Sequence, residues 1–323
     1  MPIPTAMSRD AGEHLTWREV REDDLEDCLR IEPRHMGDEL VGRERALAIW
    51  RTLIRSRSFN SCVVQLPIPP LGNPIVAFGS SVFITSEFAT QELDHPRPGL
   101  NSRIIASIAS GSSVVEEDLC TGSIRDGLDL VVLSGGDLSE ALNLEQIREA
   151  QMLLAYSFVE QHLGYRLNRL MVEIIGRKQR EFSENSGVWR TSKVFPGGER
   201  ALAVLTREDA FSSSGSIAAS LFQYREPVLR LRDTDKQLLA EALQGSTDRD
   251  IASRLNLSFS SVKKRWLSLF DRVERARQDL LPDGMDRSWN ETRGPQKRHR
   301  ILAYVRSHPE ELRPFRWRSS RQF

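Results

Sequence analysis

Cysteine is scarce. The three present, Cys28, Cys62 and Cys120, are odd in number and far apart, so they build neither a disulfide framework nor a zinc site. A reducing cytoplasm is the expected compartment. Long apolar runs are missing too. No stretch reaches the roughly 18 residues that a membrane span needs, and the opening MPIPTAMSRDAGEH has no basic start leading into an apolar run. Neither secretion nor contact with a membrane is expected. The six histidines, at positions 14, 35, 95, 162, 299 and 308, fall at no metal-ligand spacing and read as surface or packing residues. Neither Gly-x-Ser-x-Gly nor Gly-x-x-x-x-Gly-Lys occurs, which removes the hydrolase elbow and the nucleotide phosphate loop. These patterns call for no catalytic residue, no metal and no cofactor.

Net charge is also absent, with 45 Lys and Arg against 45 Asp and Glu. The balance conceals an asymmetry. From Arg225 to Phe323 there are 22 basic against 14 acidic residues, an excess of eight positive charges that the first 224 residues offset. A basic end joined to an acidic remainder implies that one end meets a polyanion. Close to the change of sign lies FSSSGSIAAS, Phe211 to Ser220, small and polar enough for a linker. The expected division is therefore residues 1–211, a linker over 212–224, a helical domain over 225–280 and a basic extension with one helix over 281–323.

Upstream of the linker, helical and strand-like segments alternate. DDLEDCLRIE, GRERALAIWRTLIRS and EQIREAQMLLAYSFVEQHLG carry apolar positions at helical spacing, and Gly164 supplies a stop for the last. SCVVQLPI, PIVAFGSSVFIT, GLDLVVLSGG, RLNRLMVEIIG and ERALAVLT read as strands, with RKQREFSENSGV as a short helix. The expectation is an α+β domain with a mixed sheet. LSGG, Leu133 to Gly136, reads as a turn after a strand, with an anion-binding turn as the sharper alternative. Asp23 and Asp24 suit a helix N-terminus. Tyr156, Phe158 and Tyr165 read as core before pocket lining.

Downstream the pattern is helical. TDKQLLAEALQG has Thr234 and Gln237 at capping spacing, Thr247 and Asp250 repeat that spacing, and Ser258 can cap a third helix. In that helix Val262, Trp266, Leu269 and Val273 share one face, leaving Ser260 and Lys264 nearly opposite. A Lys-Lys-Arg run is most often a solvated helix face. Two capped helices, a short turn, the apolar register and the basic segment together favour DNA instead. Farther on, KRHRILAYVRSHPEEL places Ile301, Leu302 and Val305 on one side, with packing as its default role.

The run from Leu231 to Val273 resembles the LuxR/GerE-type helix-turn-helix of bacterial transcription regulators. Leu231, Asp235, Leu238, Leu239, Gly245, Thr247, Asp248, Asp250, Ile251, Ala252, Leu255, Ser258, Val262 and Lys263 carry the match. Arg265 departs from the family's His, and Ser261 from its Thr. The resemblance implies an all-α DNA-binding domain. Ser260 and Lys264 would then contact base edges, with Ser268 beside them; Thr247, Ser261, Lys263 and Arg265 would hold phosphates, and Leu267 would touch a thymine methyl group or pack on another subunit. It further implies a non-enzymatic regulator of transcription that binds double-stranded DNA as a homodimer, with a small-molecule effector and RNA polymerase as further partners.

A second resemblance belongs to the first 211 residues. The order of elements from LTWREVREDDLEDCLRI to EFSENSGVW is similar to the GCN5-related N-acyltransferase fold. That family's Gln/Arg-x-x-Gly-x-Gly/Ala loop, whose N–H groups hold the diphosphate of coenzyme A, is absent after GLDLVVLSGG. The alternative it implies is an acyl-CoA-dependent N-acyltransferase with a helical appendage.

Overall fold

The computed structural model describes residues 14–31, 41–67, 74–112, 114–124, 126–137, 142–185, 189–212, 217–281 and 293–315. The expectations for the first residues, for the centre of the linker at 213–216, for the Pro/Gly-interrupted stretch at 282–292 and for the basic end at 316–323 lie outside the described residues. The chain divides into two compact units, one of residues 1–162 with 167–222, the other of residues 163–166 with 223–323.

The first unit runs β1 (Thr16–Glu19), α1 (Leu25–Ile31), α2 (Arg43–Arg55), β2 (Phe59–Gln65), β3 (Ile75–Ile84), α3 (Ser86–Asp94), α4 (Leu100–Ala109) and α5 (Leu119–Ile124). It continues through β4 (Leu128–Asp137), α6 (Leu144–His162), β5 (Leu167–Ile175), α7 (Arg177–Asn185), β6 (Arg190–Val194), β7 (Arg200–Thr206), α8 (Arg207–Ser212) and α9 (Ile217–Leu221). The strands form one mixed sheet of seven in the order β1-β2-β3-β4-β5-β7-β6. Every neighbouring pair is antiparallel except β4 and β5, which run parallel. A parallel pair needs a crossover, and α6 supplies it.

Both sheet faces are covered, which is why β3 reads as a nearly continuous apolar run and is buried along almost its whole length. Val63 and Phe78 point to the side of α1 and α2, where Trp50 meets Phe59 and Phe78 edge-on at ring distances of 5.5 and 6.0 Å. Val64 and Ala77, the adjacent residue on each strand, point to the other side and pack with Ala150 of α6. The α+β class with a mixed sheet is thus as expected. Three helices, α3 to α5, stand between β3 and β4 where no element was expected. Thr85 starts them, its hydroxyl accepting from the Phe88 amide at 3.3 Å. Asp24 ends the 3-10 turn ahead of α1, accepting from the Arg21 amide at 2.7 Å and from both ends of the Arg18 guanidinium.

The second unit contains α10 (Asp233–Leu243), α11 (Asp248–Arg254), α12 (Phe259–Ala276) and α13 (Arg293–Ser307) around one apolar core. Val262, Trp266, Leu269 and Val273 are all buried on one face of α12, and Ile301, Leu302 and Val305 bury the matching face of α13. The start of α10 differs from the Thr234–Gln237 expectation. Asp235 accepts from the Arg232 amide at 2.9 Å, so the helix begins two residues earlier. Between α11 and α12 the chain turns at Asn256 with φ +53, a left-handed conformation that Asn tolerates better than most residues.

Candidate functional site

The site grows from a fault in the ladder between β3 and β4. Ser81 pairs with Val132 but Ser80 pairs with Ser134, so Leu133 is one residue too many on β4. Such a bulge bends its strand and sharpens the local twist. The effect falls on the parallel neighbour. Pairing of β4 with β5 stops at Val132 and Val172, although β4 continues to Asp137 and β5 to Ile175. Beyond that level the two strands part, each still tied to its outer neighbour. The backbone edges that face each other across the wedge have no strand partner. LSGG is therefore not a turn; it lies inside β4 and forms the wall of the wedge.

One face of the wedge is braced. The carboxylate of Glu173 on β5 accepts from the amides of Gly99 and Leu100, both at 2.7 Å, and so caps α4. Arg200 approaches the same carboxylate at 3.2 Å. Asn101, in the first turn of α4, donates its amide N–H to the carbonyl of Leu133 at the bulge. The helix is bonded to both strands where they separate. Asn101 Oδ1 is buried without a hydrogen-bond partner, an acceptor held at the wedge.

The opposite face, under α6, is hollow. A cavity of about 330 Å³ lies there, floored by β2, β3, β4, β5 and β7; of the residues that line it, Gly135 on β4 and Ala155 on α6 are exposed. Gly79 and Gly135 stand opposite each other on β3 and β4, so no side chain fills the level just past the bulge. A Cβ built on Gly135 meets nothing within 4 Å. Most of the wall is apolar, with Leu154, Phe158, Leu170 and Leu205 among it.

The polar groups at the cavity are bonded to one another. His162, fully buried, has Nδ1 2.6 Å from the carbonyl of Phe158, which can only accept, so in the neutral ring the proton sits on Nδ1. Its Nε2 then accepts from Asn60 at 3.1 Å and from the Ser81 hydroxyl at 3.0 Å. Ser157 donates to the carbonyl of Leu154 at 2.9 Å, leaving its oxygen to accept from the Cys62 thiol at 2.9 Å. Burial pushes the Cys62 thiol up to about 11, so it is no thiolate nucleophile at neutral pH. The expectation that His162 is a packing residue agrees with this setting.

At the N-terminus of α6 a capping box is closed. Asn143 Oδ1 accepts from the Gln146 amide at 2.9 Å, and Gln146 Oε1 accepts from the Asn143 amide at 3.1 Å. Residues 138–141, just before it, lie outside the described residues. Among the described residues no group of three metal-ligating side chains gathers.

The residues singled out for DNA lie together on α11 and α12. Thr247 is the N-cap of α11, its hydroxyl 2.6 Å from Asp250. The Ser260 and Ser261 hydroxyls lie 2.9 and 2.7 Å from that of Ser258. Lys263 stands over the Phe259 ring at 4.8 Å. Lys264, Leu267 and Ser268 are exposed and Arg265 is half-buried. Arg298 of α13 lies over Trp266 and pairs with Asp248 at 2.7 Å.

No protein-family model matches the chain, and no curated protein does. Among solved structures it is similar to FeeM, an N-acyl amino acid synthase from uncultured soil microbes, at 12% identity over 65% of this chain and 99% of that one, with a TM-score of 0.35. It is similar to Arabidopsis thaliana NAA60 in complex with a bisubstrate analogue, at 11% identity over 59% and 97%, with a TM-score of 0.36. A third likeness is to the GphF GNAT-like decarboxylase in complex with isobutyryl-CoA, at 14% identity over 59% and 98%, with a TM-score of 0.35.

These likenesses correct the main functional expectation. They are to acyltransferase-fold proteins and not to DNA-binding regulators, so the LuxR-type regulator, its double-stranded DNA, homodimer, effector and polymerase partners and its non-enzymatic character are set aside. The physical reason for the error is local. Capping spacings and an apolar stripe specify short helices packed on a core, and the hydroxyls of Thr247, Ser260 and Ser261 serve that helical framework. The first unit itself is an α+β domain built on a mixed sheet of seven strands.

Proposed function

We propose that the first unit is the acyltransferase module of an acyl-CoA-dependent N-acyltransferase. The observation that carries this reading is the parting of β4 from β5 at the Leu133 bulge. A pantetheine arm is an extended chain with two amides. It lies in the wedge as a short added strand, bonding to backbone groups of β4 and β5 that lack a strand partner. Asn101 Oδ1 adds an acceptor at the same level.

Within that setting an amine attacks the thioester carbonyl carbon. A C–N bond forms and the C–S bond breaks; the departing thiol takes up the proton the amine gives away. Glu173 is not the base, because two amides and Arg200 already occupy its carboxylate. Its role is to hold α4 and, through Asn101, the bulge.

Two measurements on the full chain test the reading. Titration calorimetry with acetyl-CoA and octanoyl-CoA is expected to give binding that saturates at one site. Incubation with acyl-CoA and a panel of amines is expected to release free thiol in step with amide product. Absence of binding by every acyl-CoA tried would sink the proposal.

A further inference from the structure

The cavity under α6 is larger than an acetyl group needs, and its position assigns a substrate class. We infer that the acyl group carried by this protein is a long aliphatic one, of roughly six to ten carbons, whose chain runs from the wedge into the cavity between α6 and the sheet. This inference rests on the acyltransferase reading and deepens it.

Four observations support it together. The cavity of about 330 Å³ is lined by Gly135, an exposed residue on the wall of the wedge, so it adjoins the place where a thioester would lie. At about 30 Å³ for a water-sized group such as a methylene, that volume takes a chain of the stated length. Asn60 and Ser81 on its wall are bonded to His162, Cys62 to Ser157, and Gln161 to the carbonyl of Ser61 at 3.1 Å. No charged side chain lines it, so a phosphate, carboxylate or ammonium would enter without compensation. An aliphatic chain needs no partner and gains about fourfold in affinity per buried methylene, the equivalent of about 0.8 kcal/mol.

The fourth observation is the glycine pair. Gly135 has no positive φ that would demand glycine, and a Cβ there meets empty space. On β3, a Cβ at Gly79 would lie 3.3 Å from the Leu154 side chain and crowd the cavity from its floor. Backbone geometry does not explain glycine at Gly135; room for an occupant does.

The test compares affinities of the full-length protein for acetyl-CoA, octanoyl-CoA and dodecanoyl-CoA by calorimetry. Octanoyl-CoA is expected to bind at least tenfold tighter than acetyl-CoA. Gly135→Leu fills the cavity from β4 and is expected to reduce that preference to less than threefold. Phe158→Ala enlarges it from α6 and is expected to move the preference toward dodecanoyl-CoA, so the pair of variants shifts chain length in opposite directions. If Gly135→Leu does not fold, Phe158→Ala alone still decides the matter. Acetyl-CoA and octanoyl-CoA binding within threefold of each other, or a preference that neither variant moves, overturns the inference and leaves the acyltransferase reading standing. Binding by none of the three thioesters overturns both.

Discussion

Glu173 shows how much a single buried carboxylate can organise. It accepts from two amides at the start of α4 and pairs with Arg200, while only 7% of the residue is exposed. Replacing it by Gln keeps the shape and removes the charge that strengthens these bonds. Glu173→Gln is expected to lower stability by about 1.5–3 kcal/mol, read as a lower urea midpoint at unchanged slope. The thiols make a second point at this scale. Burial raises Cys62 to about 11 and, with Asp24 beside it, Cys28 to about 12, so both are neutral thiols at pH 8. Iodoacetamide at pH 8 is therefore expected to label Cys120 first, checked by peptide mass mapping. The linkage has a sign. A folded thiol pKa above its ordinary value of 9.0 contributes stability that is complete below pH 9 and is lost as pH rises toward 11. Cys62→Ala should then lose less stability between pH 8 and pH 10.5 than the parent protein does, measured by denaturant unfolding at each pH.

At the scale of elements, caps and turns can be weighed singly. Thr247 and Asp250 form a closed capping box at α11, and Thr247→Ala is expected to cost about 1 kcal/mol in thermal or denaturant unfolding. Asn256 holds φ +53 in the next turn; Asn256→Ala should cost about 1 kcal/mol, whereas Asn256→Gly should be nearly neutral. These devices were legible in the sequence because they are local. The strands β2 to β5 and β7, the crossover α6 and the buried face of α12 were legible for the same reason, since period and punctuation lie within one segment. The site was not. A bulge is a relation between two strands, and nothing in LVVLSGGD alone states that Leu133 has no opposite number on β3. One signal was available, two glycines inside a strand pattern, which often marks a bulge or the close approach of another chain. The helices α3 to α5 escaped notice even though α4 carries Leu100, Ile104, Ile105 and Ile108 as one apolar stripe at helical spacing. The regulator reading failed differently: it identified helices correctly and inferred their partner from a family pattern of some forty residues.

For the whole molecule, equal numbers of acidic and basic residues and a pI near 7.0 remove the long-range repulsion that keeps proteins apart. Because the basic excess lies after residue 224 and the acidic excess before it, attraction between copies is expected in dilute buffer. Light scattering should show association at pH 7 and low ionic strength, and 0.3 M salt or a shift to pH 9 should dissolve it. Persistence of the association in salt would point to apolar contact instead. Ligand binding also registers at this scale. A ligand at one hundred times its dissociation constant adds about 2.7 kcal/mol to stability, and a weaker ligand at the same concentration adds less, so at equal concentration octanoyl-CoA should raise the melting temperature more than acetyl-CoA does.

The facing glycines have one more consequence. Where Gly79 meets Gly135 there is no cross-strand pair of side chains, and β4 has already left β5 on its other side. That short length of β4 is held by backbone bonds along a single edge, the one shared with β3, beside an opening to solvent. Its amide protons should exchange with deuterium faster than those of the earlier length of β4, which is paired on both edges. When a ligand strand fills the wedge, the same amides should slow together, giving a local record of occupancy that requires no turnover.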